Sequence, residues 1–279
     1  MQNIHAHTWD QALHFTPATV READVARGYP IDLTVRFDSL MADMAPFEKV
    51  LLFGMKARLN GYWVPDDYVA DFIARAPGRL YGFAGCDPTQ PAYMDELAYG
   101  IEERHLSGVK MGPTYAGFDP RDPRCEPVYA YCQERDLPIL MHCGTTFNSQ
   151  APLKYSRPWL WDDVAIAYPG LRMVLAHVGH PFCDECLVVI RKHANLYADI
   201  SALYYRPWQF YNLLITAQEY HVTHKLLFGT DYPFARARES IEGLRHVNDM
   251  LAGTALPRVS QQTIDEILNR DGFALLGIH

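Results

Sequence analysis

Two histidines one residue apart, His5 and His7, stand near the start of the chain. In an extended strand, residues two apart point to the same side. Both imidazoles can therefore meet one metal ion. Three more residues of the same chemical kind follow: His142 in Pro138–Cys143, His177 closing Arg172–His177, and Asp231 closing Lys225–Asp231. Imidazole nitrogens with one carboxylate form a set suited to Zn2+, Mn2+ or Fe2+, with a position left open for water.

Each of these residues sits at the end of a short apolar run, and such runs recur along the chain. Predicted strands cover Gln2–Thr8, Lys49–Met55, Leu80–Cys86, Gly108–Met111, Pro138–Cys143, Arg172–His177, Asn195–Ser201 and Lys225–Asp231. The apolar stretches are continuous rather than alternating, which suits strands buried on both faces in a parallel sheet. Between them, Asp66–Ala76, Tyr93–Arg104, Glu126–Arg135, Trp159–Tyr168, Asp184–Lys192 and Trp208–Tyr220 carry apolar residues at helical spacing. Eight strand–helix units predict an α/β fold, a (β/α)8 TIM barrel, as one domain over residues 1–279. That length is near the ~250 residues typical of such a barrel. No glycine-rich phosphate loop follows the first strand, which argues against a dinucleotide-binding sheet. In a barrel, side chains at the C-terminal ends of the strands build the active site. The stretch from Trp9 to Pro46 reads as an active-site loop followed by a helix at Ile31–Met44. Arg236–Leu251 and Ser260–Leu276 read as closing helices.

The segments Asn3–His7, Gly108–Met111, Leu137–Gly144, Leu175–Pro181 and Phe228–Pro233, in this order, resemble the amidohydrolase superfamily. More closely they resemble its amidohydrolase-2 branch, which holds aminocarboxymuconate semialdehyde decarboxylase and related metal-dependent hydrolases. The resemblance implies one divalent ion, most simply Zn2+ with Mn2+ or Fe2+ as alternatives, held by His5, His7, His142 and Asp231. It implies that His177 orients or polarises water or substrate, and it implies a homodimer. The chain departs from the branch in carrying Asn3 where an aspartate is common.

A metal in such a site lowers the pKa of bound water from ~15.7 to about 7. Asp231 would then move the proton, and His177 would stabilise the developing oxyanion. The reaction expected first is hydrolysis of an amide, lactone or ester of a small molecule. The alternative is non-oxidative decarboxylation of an unsaturated or aromatic carboxylic acid. A non-catalytic binding protein is disfavoured by the intact ligand set.

Trp9, Tyr115, Lys110 and Arg206 are the expected substrate contacts. Lys110 ends the fourth strand and has three readings: a carbamate bridging two metals, a substrate-anion contact, or a structural ion pair. Arg206 can hold a carboxylate in a fork. His180 reads equally as a pocket residue or a helix cap. Cys183 and Cys186 have CxxC spacing, but with no second pair they read as reduced helix residues. The balance of 25 basic against 33 acidic residues argues against nucleic acid or an anionic membrane as partner. No secretion signal and no membrane-length apolar run is visible, so a cytoplasmic location is expected.

Overall fold

The computed structural model describes residues 1–279. Eight parallel strands follow one another around a barrel in sequence order. They are β1 (Gln2–His7), β2 (Lys49–Phe53), β3 (Leu80–Cys86), β4 (Val109–Met111), β5 (Ile139–Met141), β6 (Met173–Leu175), β7 (Leu196–Asp199) and β8 (Leu226–Leu227). The ring closes where Ile4 N donates to Phe228 O at 3.0 Å and Asp231 N to His5 O at 2.9 Å. The predicted TIM barrel is therefore the observed fold, with each predicted strand matched by an observed one.

Burial explains the apolar runs. Every residue of β1 is buried, and β4, β5 and β6 are buried throughout. One face of the strands packs inside the barrel. There Ile4, Leu51, Phe53, Phe83, Leu140 and Val174 form a core continuous with Phe273 and Leu276 of the terminal helix Gly272–Leu276. The other face packs against the surrounding helices in a cluster of 68 buried residues. Register in β1 slips between Asn3 and Ala6, beside His5. Such an irregularity re-aims side chains. Asn3 braces it: its Oδ1 accepts from His5 N and Thr230 N, and its Nδ2 donates to Thr230 Oγ1.

Three local expectations are corrected. Pro17–Arg27, read as loop, is a helix. Thr16 caps it, Pro17 opens it, and Gly28 ends it in the left-handed region at φ 77°. The helix predicted over Ile31–Met44 is confined to Phe37–Asp43. The residues before it are drawn out by contacts with Trp9, whose Nε1 donates to Leu33 O and whose carbonyl accepts from Val35 N. Ser260–Leu276 divides into Gln261–Asn269 and Gly272–Leu276, with Arg270 extended between them and bonded to Thr223 O and Leu226 O. A short antiparallel ribbon, Lys56–Ala57 with Tyr62–Trp63, also follows β2. Cys183 and Cys186 lie in the helix Cys183–Lys192, and all six cysteines are free thiols. No helix is long and apolar enough to cross a membrane.

Candidate metal centre and cavity

The C-terminal ends of β1, β6 and β8 bring His5, His177 and Asp231 together. One donor atom from each lies within 4.8 Å of the others. His7 joins from the side, with Nε2 3.1 Å from Asp231 Oδ1; His5 Nε2 is 3.3 Å from the same oxygen. Both His177 (φ 58°) and Asp231 (φ 65°) occupy left-handed backbone, rare for residues with a Cβ. Strain of this kind persists where surrounding structure dictates it, and it concentrates at functional sites.

Asp199, at the end of β7, organises the floor. Its Oδ2 accepts from His5 Nδ1 at 2.8 Å. That bond places the His5 proton on Nδ1 and leaves Nε2 bare. Oδ1 of the same carboxylate accepts from His177 N, from Ser201 N and from the Ser201 hydroxyl. His177 Nδ1 lies 2.8 Å from Ser201 Oγ, so its Nε2 is likewise the free nitrogen.

Burial, helped by the neighbouring His5 and Lys110 and opposed by Asp231, pushes His7 down to about 3 and His177 down to about 4, so both are neutral near pH 7. Burial opposes the charge on Asp231, yet His177, His5 and His7 together hold its carboxyl well below the usual range. Against its burial, Asp199 raises His5, while neutral His7 and His177 beside an ionised carboxylate are in the protonation states a cation requires. His5 Nε2 and His7 Nδ1 are buried without a hydrogen-bond partner. Buried polar atoms are rarely left so. These residues fit a divalent metal ion.

His142 packs beside the cluster, against His177. Its Nε2 donates to Thr145 O at 3.2 Å, and its ring packs on Tyr115 and edge-on to His177. His177, expected to stand outside the ligand set, is in the cluster. His5 and Asp231 belong to both the expected and the observed groups, and His7 adjoins Asp231.

Above this floor lies a cavity of about 350 Å3. Trp9, Tyr62, Tyr115, Phe147, Tyr205 and Phe234 supply its aromatic walls. Trp9 stacks on His7 with ring centres 4.1 Å apart. Arg206 lines the cavity, as do Trp9, Tyr115 and His180; His180 Nε2 is 2.6 Å from Gln209 Oε1. Lys110 does not line it. Lys110 is 1% exposed and lies below the floor, with Nζ unpartnered and 4.4 Å from the Phe53 ring centre. The expected substrate contact from Lys110 is thus replaced by a buried amine. Lys56 shows the usual alternative: it is buried, but Nζ meets Asp66 at 2.8 Å and Glu96 at 3.0 Å.

Asp199 and Arg27 are among the contributors that escaped the sequence reading, with Ser201, Tyr62 and Phe147. Asp199 lies inside a predicted strand, and its signal was an ionisable residue at the C-terminal end of an otherwise apolar run. Arg27 reaches the cavity from the unpredicted helix Pro17–Arg27.

The family model described as amidohydrolase matches residues 3–269, and the chain belongs to that family. It is 24% identical over 225 residues to the gamma-resorcylate decarboxylase of Rhodococcus jostii (strain RHA1), covering 63% of this chain and 67% of that one. Among solved structures it is similar to the uncharacterized TIM-barrel protein Bb4693 from Bordetella bronchiseptica (TM-score 0.75, 19% identity, 100% and 99% of the two chains covered). It is also similar to a probable 2-pyrone-4,6-dicarboxylic acid hydrolase from Acinetobacter baumannii (TM-score 0.69, 17% identity, 99% and 98% covered).

Proposed function

We propose that the protein is a metal-dependent enzyme that removes the carboxyl group of an aromatic or similarly unsaturated acid without oxidation. The observation that carries this reading is the pairing of an aromatic-walled cavity with a histidine–aspartate floor. Flat walls of six aromatic side chains select a flat ring over a flexible chain. The decarboxylase among the relatives supports the same reading.

His5, His177 and Asp231, whose donor atoms converge, would hold the ion, with His7 beside Asp231 as a further imidazole. When bound, the ion supplies Lewis-acid charge that draws electron density from the substrate. The side chains do the rest. Trp9 and Phe234, packed edge to face in the cavity wall, would offer aromatic surface to the ring. The carbon–carboxyl bond breaks, CO2 leaves, and the electron pair stays on the ring carbon. Asp231, which lines the cavity and rests ionised, would take a proton from water entering the cavity and pass it to this carbon. His177, with Nδ1 spent on Ser201 and Nε2 unprotonated, would serve the floor rather than donate to the substrate.

Hydrolysis of a cyclic ester is the second reading. It is favoured by the ionised state of Asp231, which suits a proton acceptor for attacking water. Sequence alone favoured this reading; the aromatic walls and the decarboxylase relative support the other.

Mass analysis of products separates the two. Metal-loaded protein should convert a hydroxybenzoate from a panel of aromatic acids and pyrones to a product lighter by CO2. A product heavier by one water, with no acid losing CO2, would transfer the assignment to hydrolysis.

A further inference from the structure

The cavity mouth has a charge character opposite to that of the protein. The chain carries a formal charge of −8. Yet the only acidic residue lining the cavity is Asp231, at its floor. At the mouth stand two guanidinium groups, Arg27 and Arg206, and neither has a carboxylate within ion-pair distance. Both are gathered about one ring. The Arg206 guanidinium lies 4.5 Å from the Tyr205 ring centre, and that of Arg27 lies 5.6 Å from the same centre and 5.4 Å from that of Phe234.

Most of the hydrogen-bond donors of both side chains are free. Arg206 makes one hydrogen bond, from Nη1 to Ala202 O, which leaves the rest of its five-donor fork free. The Arg27 guanidinium donates to no protein acceptor and is held in place by aromatic faces and by its helix. That helix is itself pinned over the cavity, because Glu22 accepts from Asn148 Nδ2 at 2.8 Å and from Ser149 N at 3.2 Å. The cations are therefore positioned in advance of any ligand, which lowers the cost of binding one.

We infer that Arg27 and Arg206 form an anion subsite at the mouth, and that the substrate is a planar dicarboxylate. One carboxyl group faces the His5–Asp231 floor and a second, unreacted one is held by the two guanidinium groups. This rests on the reading of the floor given above. A guanidinium is planar and matches a carboxylate in two parallel hydrogen bonds. Tyr205 offers its electron-rich ring to both cations.

The test uses full-length protein loaded with Mn2+, and benzoate and isophthalate as probes. Binding is read from quenching of tryptophan fluorescence, to which Trp9 in the cavity wall contributes. Isophthalate should bind at least about tenfold tighter than benzoate, the scale of one charge-assisted contact. Its affinity should fall more steeply between 0.05 and 0.5 M salt, a range over which exposed charges become screened. Arg27→Gln and Arg206→Gln should each remove most of the isophthalate preference while leaving benzoate binding in place, which also reports that the variants are folded. Arg21→Gln, an exposed change on the same helix outside the cavity, should do neither. Equal affinity for the two probes, or a preference that survives Arg27→Gln, overturns the subsite. Failure of the floor reading looks different: metal analysis would find no ion, while the effect of the arginine substitutions on isophthalate would persist.

Discussion

Asp199 holds His5 by a 2.8 Å hydrogen bond from ring Nδ1 to carboxylate Oδ2, and both side chains are wholly shut off from solvent. The bond decides which His5 nitrogen is bare. It also ties β1 to β7 across the barrel, where the same carboxylate carries His177 N and Ser201. An asparagine at this position keeps the shape but offers an N–H where His5 already donates one. Asp199→Asn should weaken metal binding about 10- to 100-fold, the usual effect of removing a carboxylate behind a ligating histidine. Competition with a chromophoric chelator measures this. Unchanged affinity would mean that His5 is not a ligand.

The observed cluster makes a definite claim about the remaining imidazole. His177 stands with His5 and Asp231, whereas His142 spends Nε2 on Thr145 O. His177→Asn should therefore lose metal about as severely as His5→Asn. His142→Asn should retain most of it and change substrate affinity through its contact with Tyr115. Metal analysis after gel filtration reads the difference. The reverse pattern would restore the ligand set that the family resemblance implies.

Much of this was legible beforehand because barrel strands are buried on both faces, and continuous apolar runs such as Val50–Phe53 advertise that burial. Candidate ligands were legible because they end those runs. Asp199 was not, since a carboxylate inside a predicted strand looks like an ordinary strand terminus until its two partners, distant in sequence, are brought to it. Arg27 was hidden by reading Trp9–Pro46 as loop and helix in the wrong order. The cues for Pro17–Arg27 were present in Thr16, Pro17 and Gly28, but its amphipathic pattern is weak because the helix covers a cavity rather than a core. The position of Lys110 could be read as strand four, but not its depth, which depends on how far the floor rises above Phe53.

Gly229 tests how tightly the floor is built. A Cβ added there would stand 2.6 Å from His5 Cβ and 3.3 Å from His5 N. His5 Cβ cannot swing aside as the tip of a long side chain could. Gly229→Ala should displace β1 from β8, lower metal occupancy, and destabilise the fold by about 1–3 kcal/mol, the usual scale for overpacking a closed core. Chemical denaturation and metal content should change together. A stable variant with full metal content would show that the β1–β8 closure is looser than the packing of Gly229 on His5 implies.

Lys110 carries the last prediction, because its amine has no partner. Burial pushes it down to about 7 from the ordinary 10.5, with Asp199 and Asp231 offsetting only part of that. Between those two pH values the unfolded chain holds a proton that the folded chain has shed. Stability from this group therefore rises with pH from about 7 to 10.5, and below about 7 the buried ammonium is a constant cost. Lys110→Met keeps the length of the side chain and removes the charge. In chelator-treated protein it should raise unfolding free energy at pH 7 by a few kcal/mol, on the order of 1.4 kcal/mol per unit of displaced pKa. The gain should be smaller at pH 9 than at pH 7, and denaturant titrations at the two pH values measure it. A carbamate on Lys110 would reverse the sign, since a negative group bridging two cations would be lost with the substitution. Lower stability of Lys110→Met in the metal-loaded protein, with two ions per chain before the change and fewer after it, would establish that bridge in place of a free amine.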